Sequence, residues 1–264
     1  MVTQALRLTC ALACIVPAMA TPIVAQIPYV APEFYNTIRP DHGNTLPLCL
    51  IPGSATEDFD REIAVSIAQI LLLEPLVVEL DVDMDQLDER GIWPTIFTAL
   101  SEECVGVLGV QIIRGETMPD WMTLSRPYLD APYVLLTSHP ATRSLADLPD
   151  GSRVGAPLYT PIDAELMGLI ASGGSYAQLR RLPYDTPELM RMLFEAGDLD
   201  AAIVWQPHLA SDALSGEAFY ARSVPVDPLS ESTRELAILL RSEDQMMRTL
   251  IDDAILALPE PYIF

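Results

Sequence analysis

The stretch LDAAIVWQP, residues 199–207, predicts a buried β-strand that ends at Trp205. Small and β-branched residues fill the run, Gly197 ends the preceding helix, and Pro207 cannot donate a backbone hydrogen bond to a neighbouring strand. The last residue of the strand is an indole, which offers one N–H donor and a large apolar face but no charge to hold a cation. The stretch therefore predicts a buried strand with an uncharged aromatic residue at its carboxyl end.

Strands and helices alternate on both sides of this stretch. Strands are predicted over residues 46–51, 76–80, 104–110, 133–137, 152–156, 179–184, 199–205, 223–226 and 235–241. Helices are predicted from Thr56 to 71 and over 92–100, 163–172, 187–196 and 245–258, whereas 81–89 and 111–123 are predicted to be loops. The β-α-β-α-β order occurs twice, which predicts an α/β fold of two lobes, each a mostly parallel sheet flanked by helices.

The predicted domain organisation follows this order of elements. The segments are a signal peptide at 1–25, an extended arm at 26–45, the first part of lobe one at 46–137, lobe two at 138–221, and a return to lobe one at 222–264. Two crossovers between the lobes describe a hinged clamshell. We expect its ligand to lie between the carboxyl ends of the two sheets, where open parallel sheets bind ligands.

The N-terminal segment has the features of an export signal. Arg7 is its only charge, residues 8–24 are almost wholly apolar, and small residues allow cleavage after Ala20 or after Ala25. The short apolar length and two prolines argue against a retained membrane helix, and a lipoprotein site at Cys14 is an alternative. The sequence therefore predicts a periplasmic protein.

Acidic residues dominate the charge of the chain. The formal net charge is −22, with 37 Asp and Glu residues, and all 15 basic residues are arginine. The absence of lysine excludes a Walker-type phosphate loop, a Schiff-base enzyme and a Ser-Lys nucleophile pair. A nucleic acid would need a basic stripe, and the sequence contains none. The acidity predicts either a well-solvated surface or an acidic face that docks a basic partner.

Removal of the signal peptide would leave two cysteines, Cys49 and Cys104. In an oxidising compartment such a pair favours a disulfide bond, and two buried, unbridged thiols are the alternative. The histidines do not stand at metal-ligand spacing from each other or from a cysteine, so neither a metal ion nor a cofactor is predicted. Asp81, Asp83 and Asp85 alternate as in a calcium loop, but the glycine and the glutamate that such a loop requires are missing.

Four motifs, taken in order, give the chain a resemblance to a known family. They are Phe59-Asp60-Arg61-Glu62-Ile63-Ala64, Ser125-Arg126-Pro127-Tyr128, the pair 144–148 and 153–155, and Asp200-Ala201-Ala202-Ile203. With these motifs the chain resembles the type 2 periplasmic solute-binding proteins of the amino-acid-binding family, family 3, from about residue 45 to residue 258. The resemblance implies a two-lobed clamshell that binds a small solute.

A narrower resemblance concerns the periplasmic binding-protein homologues that accompany quinoprotein methanol dehydrogenases. The shared features are Cys49, Cys104, Gly109-Val110, Arg126-Pro127-Tyr128 with Tyr133-Val134, and Asp200 followed by Ala202-Ile203-Val204-Trp205 and Pro207. Two departures are Gln206, where that group usually has glycine, and Cys49-Leu50-Ile51-Pro52 in place of Cys-Ala-Asp-Pro. The chain therefore resembles a diverged member of that group or a neighbouring subfamily.

The broader resemblance also implies ligand contacts. Amino-acid-binding relatives hold the ligand carboxylate with an arginine after the third strand, which indicates Arg114 here, with a surface arginine as the alternative. They hold the ammonium group with an acid at the position of Trp205, so free amino acids are not the predicted ligands. Tyr128, Tyr159 and Trp205 could line an apolar-aromatic cleft, and core packing is the alternative for each.

Polar candidates for ligand contacts come from the loops. Gly53 and Ser54 lie in a loop at a helix start, where backbone N–H groups could bind an anion, and Thr160 begins a second such helix. Gln111, which opens the irregular stretch after the third strand, and Gln206, which follows Trp205, complete the predicted ligand-binding set.

Three hypotheses on function follow. The first is a non-enzymatic accessory protein of a periplasmic quinoprotein (methanol or alcohol) dehydrogenase that depends on pyrroloquinoline quinone, which would bind that enzyme or its cytochrome. The second is the substrate-binding subunit of an ABC importer, delivering a small solute that is not a standard amino acid to its permease. The third, an exported enzyme on the same scaffold, has no support from a Gly-x-Ser-x-Gly elbow or a Cys-His pair, so no catalytic residue is predicted.

Overall fold

A computed structural model describes residues 29–31, 40–82, 91–112, 118–158, 160–210, 214, 222–230 and 233–258. The predicted signal peptide, Asp83, Asp85, Arg114 and Tyr159 lie outside these ranges. Among the helices in the described ranges, none has the length and apolar character needed to cross a membrane.

The described strands and α-helices follow the predicted alternation. The strands are β1 Thr45–Leu50, β2 Glu74–Glu79, β3 Gly106–Ile112, β4 Met122–Leu124, β5 Leu129–Thr137, β6 Arg153–Pro157, β7 Arg180–Tyr184, β8 Ala201–Trp205, β9 Arg222–Pro225 and β10 Thr233–Arg241. The helices are α1 Glu57–Ile70, α2 Trp93–Glu102, α3 Pro161–Ala171, α4 Pro187–Glu195 and α5 Gln245–Ala257. The prediction was wrong for β4, which lies in a stretch expected to be irregular, and for the start of β5, expected at Tyr133.

The strands form two groups of parallel strands joined by antiparallel ones. Neighbouring strands follow the order β2-β1-β3-β10-β5-β8-β6-β7, with β4 paired to β10 and β9 paired to β5. We call β2-β1-β3 the first parallel group and β8-β6-β7 the second parallel group, since the pairs within each are parallel. The predicted α/β fold with mostly parallel sheets is confirmed.

Strand β5 belongs both to the sheet that contains the first parallel group and to the sheet that contains the second. Its residues Leu129–Pro132 pair with β10, and its residues Tyr133–Thr137 pair with β8. Strand β9 pairs with the second of these halves, and the chain then returns through β10, which pairs antiparallel with β3. The two parallel groups are therefore connected through one shared strand and one returning strand.

Apolar side chains explain the position of α1 on the first parallel group. Phe59, Ile63 and Ile67 recur at helical spacing and are buried, and they pack in one cluster with Leu48 and Leu50 of β1. Burying each of these side chains stabilises the fold by about 1.5–3 kcal/mol relative to leaving it in water. The helix is thereby packed against β1.

The predicted disulfide bond joins Cys49 and Cys104. Cys49 lies in β1 and Cys104 lies two residues before β3, with their Cα atoms 5.8 Å apart. Both side chains are buried with Ile96, Leu100 and Trp121 in a cluster that includes α2. The disulfide bond therefore joins neighbouring parts of the first parallel group beneath a helix.

The helix starts divide into two kinds. Thr160 and Thr186 precede α3 and α4, and each hydroxyl accepts a backbone N–H of the first turn, from Asp163 and from Leu189. Thr56, where α1 was predicted to begin, makes no cap hydrogen bond to that helix with its side chain. Thr56 Oγ1 instead donates to the carboxylate of Asp60 over 2.8 Å, since a buried acceptor lies one turn away.

Candidate functional site

The loop between β1 and α1 closes on a carboxylate of its own helix. The backbone N–H of Gly53 donates to Glu57 Oε2 over 2.7 Å. Glu57 also contacts Arg61, which forms a second ion pair with Glu79 at 2.7 Å. The loop thus has the backbone donor that the sequence predicted for an anion, but Glu57 already occupies it.

Ser54 offers an unused polar atom in the same loop. Its Oγ is shielded from solvent and has no hydrogen-bond partner within the described residues. A hydroxyl hidden from water without a partner costs about 1–3 kcal/mol, so a ligand atom that bonded to it would recover that energy. Among the polar residues predicted for the site, Ser54 is therefore the strongest candidate for a direct contact.

The loop between β6 and α3 is the counterpart, in the second parallel group, of the loop between β1 and α1. Thr160 caps α3, and its Oγ1 donates to the carbonyl oxygen of Pro157 over 2.6 Å. Asp163 is buried in the first turn of α3, where Arg181 of β7 donates from Nε and Nη2 to both of its carboxylate oxygens, the Nη2 bond measuring 2.6 Å. A carboxylate bound in this way is favourable at a helix N-terminus, because the dipole there is positive.

A buried polar network lies directly behind the first loop. Asp60 is 1% exposed and accepts from Thr56 and, over 2.6 Å, from the hydroxyl of Tyr128. The Tyr128 hydroxyl in turn accepts the backbone N–H of Gly109 over 2.8 Å. Gly109 is at φ +79°, and a Cβ there would stand 2.9 Å from Asp60 Oδ2, so a larger residue would displace the carboxylate.

Burial controls the ionisation of this network. Desolvation raises the pKa of Asp60 to about 6, although the hydrogen bonds from Tyr128 and Thr56 oppose the rise. Desolvation, and then the neighbouring Asp60, raise the pKa of Tyr128 well above its usual range. For Tyr128 the sequence left open a position lining a cleft or a position in the core, and the structure places its hydroxyl between Asp60 and Gly109 in the core.

Trp205 ends β8 as predicted, with its side chain 3% exposed. Its indole N–H donates to the carbonyl oxygen of Ala131 over 3.1 Å, and its ring contacts His208 edge-on at 5.9 Å between centroids. Tyr133 lies opposite Trp205 on β5 and also contacts Arg234 of β10. Trp205 was predicted to line an apolar-aromatic cleft, with core packing as the alternative, and its one N–H donor is used within the protein in this arrangement.

Two glutamines complete the predicted set. Gln111 is exposed near the end of β3, opposite Leu236, and Gln206 is half-buried directly after β8. Together with Ser54 and Thr160, they stand at or near the carboxyl ends of β3, β8, β1 and β6. Arg114 and Tyr159 lie outside the described residues. Within the described ranges, no group of three or more His, Cys, Asp and Glu side chains is arranged to hold a metal ion.

Sequence reasoning did not identify Asp60 or Glu57 as site components. Asp60 was named only as part of the motif Phe59-Asp60-Arg61-Glu62-Ile63-Ala64. An aspartate on the apolar side of the helix, in register with Ile63, Ala64 and Ile67, was the signal for Asp60. Arg181 lies within a predicted strand. Its contact with Asp163 depends on the pairing of β7 with β6, which the sequence pattern did not predict.

Solved structures supply the comparison for this fold. An ancestral cationic amino acid solute-binding protein matches with a TM-score of 0.59 and 17% identity over 81% of this chain and 89% of that chain. The substrate-binding protein of an amino acid ABC transporter matches with a TM-score of 0.52 and 13% identity over 81% and 92%. A mutant of ArgBP from T. maritima matches with a TM-score of 0.51 and 19% identity over 81% and 89%.

These likenesses show the fold. The sequence matches no protein-family model and no curated protein. The predicted fold, that of the solute-binding proteins, is confirmed by these neighbours.

Proposed function

We propose that this chain is a non-enzymatic solute-binding protein that binds a small molecule at the carboxyl ends of its two parallel groups. The observation that carries the proposal is the repeated arrangement of a parallel strand, a polar loop and a helix start, at β1–α1 and again at β6–α3. Open parallel sheets bind ligands outside the carboxyl ends of their strands. The neighbouring structures, which are binding proteins, support the same function.

The chemistry of the loops favours a polar solute without a free carboxylate. Glu57 occupies the Gly53 N–H, and Asp58 is exposed beside it in the first turn of α1. Arg61 and Arg181 are both paired with acids of this chain. An anionic ligand would meet these carboxylates at close range, and like charges at short distance are unfavourable.

A panel of solutes in a thermal-shift assay tests this function. Amines and neutral polyols are expected to raise the melting temperature, and carboxylates are expected not to, because only a ligand that binds the folded state stabilises it. Stabilisation by carboxylates alone would contradict the ligand class. Failure of every solute, and of fractionated periplasmic extract, would contradict solute binding itself.

Ser54 provides the test of where the ligand binds. Ser54→Ala is expected to weaken a ligand found in the panel by about five-fold, the effect of losing one ordinary hydrogen bond. Ser172→Ala is the matched control, because Ser172 is exposed at the far end of α3 and donates to the carbonyl of Leu169. Equal affinities for the two variants would place the ligand elsewhere.

The compartment is part of the proposal. The signal segment supports export to the periplasm, with cleavage after Ala20 or Ala25. Fractionation of cells that express the full chain, followed by N-terminal sequencing, tests both statements. Recovery of the uncleaved chain in the cytoplasm would contradict them.

A finer proposal concerns the protein partner. The resemblance carried by Cys49, Cys104 and the pair Trp205 and Pro207 supports a role beside a periplasmic quinoprotein dehydrogenase or its cytochrome, and the net charge of −22 suits a basic partner. An ABC permease is the alternative, supported by the ABC-transporter binding protein among the neighbours.

A pull-down separates these partners. The mature protein serves as bait in native periplasm at low and at high salt. Salt-sensitive recovery of a quinoprotein dehydrogenase or its cytochrome would support the first partner, because exposed charge pairs weaken with ionic strength. Crosslinking to a membrane permease, without the dehydrogenase, would support the second.

A further inference from the structure

Two side chains bridge the sheets at the place where β5 changes partner. Ala131 pairs with Arg234 in the sheet of the first parallel group, whereas Tyr133 pairs with Trp205 in the sheet of the second. The Trp205 indole nevertheless donates to the Ala131 carbonyl over 3.1 Å, and the Arg234 guanidinium carbon lies 5.8 Å from the centroid of the Tyr133 ring. Each side chain therefore reaches from its own sheet to a residue paired in the other.

The bridging contacts lie in the core. Trp205, Tyr133 and Arg234 are all buried, so water has little access to replace a contact that is lost. A buried indole N–H without an acceptor is costly, and an Arg–aromatic contact strengthens when it is removed from water. A rotation of one group against the other about Pro132 and Tyr133 would change the geometry of both contacts.

We propose that Trp205 is a strut that holds the two parallel groups at a fixed angle, so that the protein presents a preformed binding surface instead of closing over its ligand. This inference rests on the proposed function and concerns how its site is regulated. Hinged binding proteins change φ and ψ at a few residues of their connecting strands. Here Trp205 and Arg234 contact Ala131 and Tyr133, which lie on the connecting strand β5. A preformed surface pays less ordering entropy when the ligand binds.

Spin labels, one on each group, measure the angle in the ligand-free protein. Gln69→Cys on α1 and Gln178→Cys before β7 provide exposed label sites, and the Cys49–Cys104 bridge leaves neither native thiol free to react. Electron–electron double resonance on the mature chain is expected to give one narrow distance distribution. A broad or two-peaked distribution in the wild-type protein would overturn the proposal.

Trp205→Phe isolates the indole N–H. A smaller aromatic ring remains, but the hydrogen bond to Ala131 is lost. The fraction of molecules whose label–label distance differs from the main wild-type distance is expected to rise about five-fold, as for one ordinary hydrogen bond. Trp121→Phe is the matched control, because Trp121 is equally buried but lies in the α2 cluster of the first parallel group. Trp121→Phe is expected to lower the melting temperature but to leave the distribution of label–label distances as narrow as in the wild type.

Two further results decide the proposal. A Trp205→Phe distribution as narrow as that of the wild type would overturn it. If this variant does not fold, Arg234→Met, which removes the second bridging contact, takes its place with the same expected broadening and the same contradicting result. Because no ligand is present in these measurements, a flexible hinge would reject the strut while leaving the solute-binding proposal to its thermal-shift test.

Discussion

The first and second parallel groups share one order of strands and helices but are stabilised by different chemistry. The first has the Cys49–Cys104 disulfide bond and a buried acid, Asp60, whose partners are two hydroxyl groups. The second contains no cysteine, and its buried acid, Asp163, is paired with Arg181. The topology places a helix start after the first strand of each group, and the side chains decide whether the acid there is bound by hydroxyl groups or by a cation.

The helix starts show the same contrast. In α3 the N-cap threonine accepts a backbone N–H of its helix, whereas in α1 the threonine donates to the buried side chain of Asp60 and Glu57 closes the loop instead. In the first group an ordinary cap is therefore absent, and hydrogen bonds from Asp60 through Tyr128 to Gly109 connect α1, the residue before β5, and β3. Each of the following predictions changes one side of this comparison.

The largest expected effect comes from the disulfide bond. Cys49→Ala with Cys104→Ala is expected to reduce the free energy of unfolding by about 4 kcal/mol, because the bridge closes a loop across a sequence separation of 55 and so restricts the unfolded chain. Urea unfolding of the oxidised wild type and of the double variant measures the difference. Reduced wild-type protein is the control, and identical midpoints for its oxidised and reduced forms would contradict the prediction.

Asp60 is expected to make the stability of the first group depend on pH. Its pKa is raised by burial from 3.8 to about 6 in the folded protein, so its contribution to stability is fully present below pH 3.8 and is lost as the pH rises through about 6. The loss corresponds to about 3 kcal/mol.

Asp60→Asn isolates this contribution. The amide retains an acceptor for Tyr128 and cannot ionise, so the unfolding free energy of the wild type minus that of the variant is expected to fall across this pH range. Denaturant titrations at several pH values measure it. A difference that stays constant with pH, or rises, would show that Asp60 does not carry the dependence.

Removing Arg181 is the corresponding change in the second group. Arg181→Met leaves the buried Asp163 carboxylate without its cation and is expected to cost about 2 kcal/mol, less than for a fully buried pair because Arg181 is partly exposed. The double variant with Asp163→Asn is expected to recover part of the loss. If the two single losses simply add in the double variant, the pair does not interact as described.

The smallest expected effects come from the helix starts. Thr160→Ala and Thr186→Ala are each expected to cost about 1 kcal/mol through loss of an N-cap, with no change in the shape of the pH dependence. Thr56→Ala is expected to act through Asp60, because it removes one of the hydrogen bonds that lower the pKa of that carboxyl. The fall in stability should then occur at a higher pH, and an unshifted curve would place Thr56 in the same class as the other two.

The regular elements were predictable because apolar spacing and helix-start signals are local. The five helices and most strands agree with their predicted ranges to within a few residues. The early start of β5 was not predictable, because Pro127, Asp130 and Pro132 weaken a strand pattern and the segment is extended only through pairing with β10. A strand whose partner lies about a hundred residues further along the chain leaves little local signal.

The candidate site was predictable only in outline. The loops after β1 and β6 were located correctly because a strand followed by a capped helix has a clear pattern. The roles of Trp205 and Tyr128 depended on tertiary neighbours, Ala131 for the first and Gly109 for the second. No spacing in the sequence brings these two pairs together, so their contacts appear only after the strands are in register, whereas Thr56 and Asp60 are one helical turn apart.

The position of β10 in the sheet has a consequence for the order in which the protein is assembled. The chain emerges from the ribosome, or from an export channel, with its N-terminus first, so the second parallel group is complete before β10 has appeared. The first group has β1, β2 and β3 early, but the edges of β3 and of the first half of β5 stay open until residues 233–241 arrive between them. Cys49 and Cys104 both lie more than a hundred residues before β10 in the sequence, so both emerge earlier. Their disulfide bond can thus stabilise the first parallel group before β10 is added to it.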